Sequence, residues 1–167
     1  QRQMCIRDSA RSLSDLGTLA TAIGDDEFSN ATGLTTIAVS DTTIEADALA
    51  ARIDSFDDIN GENKTTGMTL ASEATINVAS TEITALLADE ANNRLTISDQ
   101  DINVDSGKIS VDNLNLLDAV TEGTVTADIA TTESLDELKT LSSSNAYTIV
   151  ISSGDAEVSA ADLNTLN

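Results

Sequence analysis

A short phrase of sequence recurs along this chain and limits what it can fold into. The clearest copy is Val158–Leu166 (VSAADLNTL), in which an apolar residue is followed by a serine and then by two leucines spaced three apart. A serine hydroxyl can cap a helix by accepting a hydrogen bond from a free backbone N–H in the first turn. Residues three apart lie on one face of a helix. The phrase therefore predicts a short helix with one apolar face.

Six copies of the phrase can be traced, and Ile109–Leu117 matches it at every constrained position. The steps between copies range from 21 to 34 residues, since their first apolar anchors are Leu16, Leu49, Ile83, Leu114, Leu135 and Leu163. Such spacing is typical of repeat arrays, in which each unit buries its apolar face only against its neighbours. The alternative is a set of unrelated short amphipathic helices in one globular domain.

Between the copies lie short runs of β-branched residues that alternate with Thr or Ser, as half-buried strands require. Examples are Ala74–Val78 (ATINV) and Gly123–Ala127 (GTVTA). One unit is thus predicted to contain a strand, a turn, a second strand and a short helix. The predicted fold class is an α+β repeat solenoid, with short parallel strands stacked in a β-solenoid-like array and one short helix per coil. The leucines expected in its core are Leu114, Leu117, Leu135, Leu138, Leu163 and Leu166.

The two ends of the chain differ from this pattern. Residues 1–9 (QRQMCIRDS) contain the only cysteine and have no counterpart in the repeats. We interpret them as a non-native or disordered leader, similar to a translated adaptor remnant, and exclude them from fold reasoning. Residues 10–167 are predicted to form an array of about five to six units. No strand follows the last leucine pair to cover the final unit, so we expect the array to be truncated there.

The charge excludes several kinds of partner. The net charge is −21 and the pI is near 4.1, so phosphate backbones would be repelled and no nucleic acid is expected to bind. No segment approaches the run of about 20 apolar residues that a membrane helix needs, which predicts no membrane insertion. Self-repulsion of this size is best tolerated where salt shortens the Debye length, which favours a salty or calcium-bearing exterior.

The residue types give little support to catalysis. The chain has no histidine, which excludes the usual Ser-His and Cys-His pairs and His-ligated zinc. No phosphate-binding glycine pattern is present. Pairs of carboxylates are inevitable among 29 acidic residues, and the aromatic residues that stack on sugars make up only 2% of the chain. We therefore predict no enzyme activity. A polysaccharide-acting β-helix enzyme is the least favoured alternative, because basic residues are sparse.

Calcium is the one cofactor that the residue pattern suggests. Asp99, Asp101, Asn103 and Asp105 place oxygen ligands at every second position, so a strand would carry them on one face. The EF-hand spacing and the glycine-rich calcium nonapeptide are both absent. A second acidic cluster lies at residues 57–63. Solvated acidic turns are the alternative explanation for both stretches.

The phrases VSAADLNTLN, GTVTA and AYTIVIS resemble the degenerate repeats of very large secreted or surface proteins of marine bacteria. This resemblance covers about residues 70–167 well and residues 10–69 loosely. It implies an extracellular or cell-surface location and a non-catalytic, structural or adhesin-like segment of a larger bacterial protein. Its partners would be neighbouring repeats of the same chain and cell-surface or polysaccharide ligands. A calcium-binding module that orders on ion binding is the alternative function.

Overall fold

A computed structural model describes residues 10–24, 36–60, 67–130, 132–141 and 145–149. Predictions made for residues 1–9 and for Val158–Leu166, including core positions Leu163 and Leu166, lie outside these ranges. Of the second acidic cluster, residues 57–60 belong to a helix and residues 61–63 lie outside the description.

Helices and short strands alternate along the described chain. The helices are α1 (Leu13–Gly24), α2 (Ala46–Asn60), α3 (Ile83–Ala91), α4 (Val111–Val120) and α5 (Leu135–Leu138). The strands are β1 (Thr36–Ala38), β2 (Thr43–Glu45), β3 (Gly67–Thr69), β4 (Thr75–Ala79), β5 (Leu95–Thr96), β6 (Asp101–Ser106), β7 (Val125–Asp128) and β8 (Ala146–Thr148).

The strands form two parallel sheets. One has three strands in the order β1-β3-β5, and the other has five in the order β2-β4-β6-β7-β8. In the five-stranded sheet, Ile44 lies opposite Ile76, Ile76 opposite Ile102, and Ile102 opposite Val125. All four side chains are at most 1% exposed. A row of apolar side chains on the inner face therefore holds these strands in register.

The helices complete the core with apolar faces of their own. In α2, Leu49, Ile53 and Phe56 are spaced four and three residues apart, fall on one face and are fully buried. In α4, Leu114 and Leu117 are both completely buried, as predicted. Leu138 is buried as well, whereas Leu135 is only half-buried. Removing the side chain of a buried leucine of this kind typically costs about 2–5 kcal/mol.

The helix start that the phrase predicts is confirmed at Ser110, whereas in the copy that contains Leu135 the helix starts at Ser134, three residues later than the phrase predicts. Ser110 is the N-cap of α4, and its hydroxyl accepts the backbone N–H of Asn113 at 3.3 Å. Ser134 caps α5 in the same way, and the Glu137 carboxylate accepts the backbone N–H of Ser134 at 2.7 Å, which completes a capping box. The backbone N–H and the hydroxyl of Ser134 both donate to the Glu137 carboxylate and hold the pKa of Glu137 below its usual value.

The predicted fold class is wrong. The described chain is an α/β domain with two separate parallel sheets, of three and five strands, and five helices. It is not the predicted β-solenoid-like array. Two helices exceed the predicted short helix per coil: α1 has 12 residues and α2 has 15, and these two pack against each other. These helices are longer than predicted because their apolar spacing continues beyond the expected pair of apolar residues, as it does at Phe56 in α2.

Candidate functional site

The outer side of the five-stranded sheet is a regular polar surface. Side chains alternate between the two faces of each strand, and the inward positions are taken by the buried apolar row. We call the opposite side the polar sheet face. It is defined by Thr43, Glu45, Thr75, Asn77, Asp101, Asn103, Asp105, Thr126 and Asp128.

A line of hydrogen-bonded side chains crosses the polar sheet face from strand to strand. Glu45 lies opposite Asn77, and Asn77 lies opposite Asn103. The Asn77 Nδ2 donates to Glu45 Oε1 at 2.8 Å, and the Asn103 Nδ2 donates to Asn77 Oδ1 at 3.1 Å. Thr126 on β7 is next in register and is exposed. The amides therefore have fixed orientations before any ligand arrives.

The neighbouring line on the same face contains Thr43, Thr75 and Asp101, which lie opposite one another in that order. The Asp101 Oδ1 accepts the backbone N–H of Thr124 at 2.7 Å. One carboxylate oxygen thus fixes the start of β7 against β6. This line presents the hydroxyl groups of Thr43 and Thr75 and the carboxylate of Asp101, one oxygen of which already accepts a hydrogen bond.

The far end of the polar sheet face is acidic. Asp105 and Asp128 are exposed on the neighbouring strands β6 and β7. Asp105 lies where the register between β4 and β6 shifts, because Ala79 lies opposite Ser106. Gly107 then turns the chain with a φ of 81°, a value that favours glycine, and a Cβ there would collide with the Ser80 hydroxyl.

The structure separates the four residues of the predicted calcium site. Asp101, Asn103 and Asp105 lie at alternate positions of β6, as predicted. Asp99 instead lies at the corner before β6, where its carboxylate accepts hydrogen bonds from Ser72, from Ser98 at 3.3 Å and from Gln100 at 2.6 Å. The Ser72 hydroxyl is the main reason that the pKa of Asp99 is lowered.

The corner beside Asp99 is built around a buried amide. Gln100 is 2% exposed; its Nε2 donates to the Ala71 carbonyl at 3.0 Å and its Oε1 accepts the Ser98 N–H at 2.8 Å. The backbone carbonyl of Gln100 accepts the Thr121 hydroxyl at 2.5 Å. These bonds tie together three corners that are distant in sequence. An open cavity of about 430 Å³ lies alongside, between this corner and the end of α4.

A smaller cavity of about 60 Å³ lies between α2 and α3. It is far below the 300–1,000 Å³ of common small-molecule pockets. Asp89 at its edge is 8% exposed and forms an ion pair with Arg94 at 3.0 Å, and Arg94 also contacts Asp54 at 2.5 Å. These charges join the end of α3 to α2 and have a structural role.

The sequence did not predict the hydrogen-bonded line from Glu45 through Asn77 to Asn103, which we call the amide line. It also did not predict the buried corner around Gln100. Glu45 and Asn77 are 32 residues apart, and Asn77 and Asn103 are 26 apart, so no local spacing relates them. An available signal was the similarity of Thr43–Glu45 (TIE), Thr75–Asn77 (TIN) and Asp101–Asn103 (DIN), each of which alternates polar, Ile, polar.

Within the part of the chain that the structure describes, no three or more acidic or cysteine side chains converge as a metal site would require. Of the helices described, none is both long and apolar enough to cross a membrane.

Comparisons of the chain with protein-family models, with curated proteins and with solved structures found no match.

Proposed function

We propose that this chain is a structural, adhesive and non-catalytic segment of a larger extracellular or cell-surface bacterial protein, and that the polar sheet face is its adhesive surface. The observation that supports this most is the amide line from Glu45 through Asn77 to Asn103. It is a set of polar groups that hydrogen bonds orient across three neighbouring strands.

The geometry of the polar sheet face favours a repetitive ligand over a small molecule. Neighbouring strands are about 4.8 Å apart, so equivalent side chains on four strands extend over roughly 14 Å. Side chains already fixed by hydrogen bonds lose little conformational entropy when a ligand binds. A polysaccharide, with hydroxyl groups repeated along its length, could engage several strands at once and gain affinity through multivalency.

Removing the amide line tests the proposal. The double variant Asn77→Ala, Asn103→Ala should lose most of its binding to immobilised polysaccharides, measured by co-sedimentation of the full chain. The matched control is Asn115→Ala, which removes an amide whose Nδ2 donates to Thr140 Oγ1 at 3.2 Å, away from the sheet. Equal binding by the double variant and the control would refute an adhesive role for this face.

A calcium-binding module is the second candidate function. It is favoured by Asp101, Asn103 and Asp105, which present oxygen atoms from successive outward positions of β6. Ca²⁺ takes six to eight oxygen ligands at about 2.3–2.6 Å. Outward positions of one strand are roughly 7 Å apart. To bind one ion, these side chains would therefore have to rotate toward one another, or water would have to complete the coordination shell of the ion. A calcium-dependent increase in thermal stability would support this function.

A further inference from the structure

The apolar residues that follow the cap of α5 are less buried than their equivalents in α4. Ser110 caps α4 and Ser134 caps α5. Apolar residues follow each cap after one, four and seven positions: Val111, Leu114 and Leu117 after Ser110, and Leu135, Leu138 and Leu141 after Ser134. The three that follow Ser110 are at most 2% exposed. Of the three that follow Ser134, only Leu138 is buried, and Leu135 and Leu141 are half-buried.

The last two strands of the five-stranded sheet differ in the same way. Ala127 of β7 lies opposite Tyr147 of β8. Ala127 and Ile129 are at most 4% exposed, whereas Tyr147 and Ile149 are half-buried. β8 is also an edge strand of its sheet. The sheet is therefore less well covered at β8 than at β7.

These two places lie at one end of the described domain. The strand order ends at β8, and α5 lies beside α4, since the Asn115 amide of α4 donates to Thr140 just after α5. In the chain, α5 connects β7 to β8. Three half-buried apolar residues pack against the core here, and we call them the apolar end patch: Leu141, Tyr147 and Ile149.

Tyr147 contributes a buried polar atom to the apolar end patch. Its phenolic oxygen is shielded from solvent, and no group in the described part of the chain makes a hydrogen bond of good geometry with it. The amide of the nearby Asn145 is engaged elsewhere, because its Oδ1 accepts the backbone N–H of Val125 and its Nδ2 donates to Asp118. A buried hydroxyl without a partner is costly. We therefore expect a further segment to cover this oxygen.

One further segment of the chain has the same series of residues after a serine. In Val158–Leu166, Ser159 is followed by Ala160, Leu163 and Leu166 after one, four and seven positions. Ser134 lies 24 residues after Ser110, and Ser159 lies 25 residues after Ser134. Ten residues lead from Ile149 to Ser159. An extended chain spans up to about 3.3–3.6 Å per residue, so this linker can reach the roughly 8–10 Å that separates packed helices.

From this match we infer that the segment Val158–Leu166 packs on the apolar end patch through Leu163 and Leu166. The competing occupant is a second copy of the chain. The chain's own segment is favoured because a tether of ten residues gives it a high effective concentration at the patch. The inference is independent of the proposed adhesive role, which concerns the polar sheet face.

Thermal melts of full-chain variants are the first test. Leu163→Ala should lower the melting temperature by roughly 4–8 °C, because it leaves a cavity where a leucine packed. The matched control is Leu116→Ala, which shortens a leucine that is 53% exposed and should change the melting temperature by less than about 2 °C. If Leu163→Ala does not fold, Leu163→Val gives a smaller loss of the same kind.

A second measurement locates the contact. The chain has one tyrosine and no tryptophan, so its fluorescence reports on Tyr147. Leu163→Ala should increase acrylamide quenching of this fluorescence toward the value in urea, whereas Leu116→Ala should not. Leu141→Ala combined with Leu163→Ala should lose less melting temperature than the sum of the two single losses, since the two side chains are in contact.

Three results would overturn the inference. An unchanged melting temperature for Leu163→Ala would show that this leucine is not packed. A loss that adds fully to that of Leu141→Ala, with unchanged quenching, would show that the segment packs elsewhere. A wild-type melting temperature that rises with protein concentration would show that a second copy covers the patch.

Discussion

Asn103 on β6 donates its side-chain N–H to the Oδ1 of Asn77 on β4, at 3.1 Å, and Asn77 in turn donates to Glu45 on β2. A single residue, Asn77, therefore connects three strands through its side chain. Asn77→Ala breaks both hydrogen bonds and should lower the free energy of unfolding by about 1 kcal/mol, given that one such bond contributes about 0.5–1.5 kcal/mol net and both are partly solvated. Urea denaturation measures the change.

The control for that substitution is Asn115→Ala in α4, which loses one exposed hydrogen bond to Thr140. Alanine has a higher helix propensity than asparagine, so this variant should change by less than about 0.5 kcal/mol or become more stable. A loss equal to that of Asn77→Ala would mean that the cross-strand line has no special importance for stability.

Two adjacent leucines in α4 test the core. Leu117 is completely buried, whereas Leu116 is 53% exposed. Leu117→Ala should therefore cost about 2–5 kcal/mol through lost burial and the cavity left behind, and Leu117→Asp should unfold the domain. Leu116→Ala should stay within about 0.5 kcal/mol of wild type. If denaturant titration gave similar values for both alanine variants, the placement of α4 would be wrong.

Gly123 lies close to the buried corner, and a Cβ at this position would come within 2.3 Å of the Gln100 carbonyl oxygen. That oxygen also accepts the Thr121 hydroxyl. Gly123→Ala forces the backbone apart and should destabilise the domain by about 1–3 kcal/mol, as overpacking does. A thermal melt that matched wild type would contradict this close approach.

Tyr147, the only tyrosine, should lose its phenolic proton at a higher pH than a solvated tyrosine does. Burial, followed by the negative charge of Asp118, raises the pKa of Tyr147 from 10.0 to about 12. Absorbance of the phenolate should therefore appear near pH 12 in the folded protein and near pH 10 in urea. Because the folded pKa is the higher one, this tyrosine's contribution to stability is complete below pH 10 and is lost as the pH rises toward 12.

Coincident phenolate titrations in buffer and in urea would show that Tyr147 is solvated in the folded protein and would contradict its packing against the core. Asp118→Asn provides the internal test, since removing that charge should bring the folded pKa of Tyr147 part of the way down.

Calcium dependence decides between the two candidate functions. For the adhesive segment, the circular dichroism melt of the full chain should be cooperative in chelator and should shift no more in millimolar calcium than in magnesium. For the calcium module, calcium should raise the melting temperature well beyond magnesium, since a ligand that binds only the folded state stabilises it. Asp105→Asn should then abolish the calcium-specific part of the shift.

Local sequence patterns determined several features of this protein correctly. Alternation along Asp101–Ser106 placed Asp101 and Asn103 on one side of a strand, because side chains in a strand alternate with period two. The serine before an apolar spacing placed the start of α4 at Ser110, since capping involves only neighbouring residues. Leu114 and Leu117 were assigned to the core by the same helical spacing.

The tertiary structure decided which distant segments meet. Asp99 belongs to the same acidic stretch as Asp101, yet hydrogen bonds from Ser72 and Gln100 hold it in a corner. The amide line and the bond between Thr121 and Gln100 join residues between 21 and 32 positions apart. The division into two sheets likewise depends on how apolar faces pack. Local pattern fixes which way a side chain points along its own element, whereas its partners across elements depend on the register that the packed core selects.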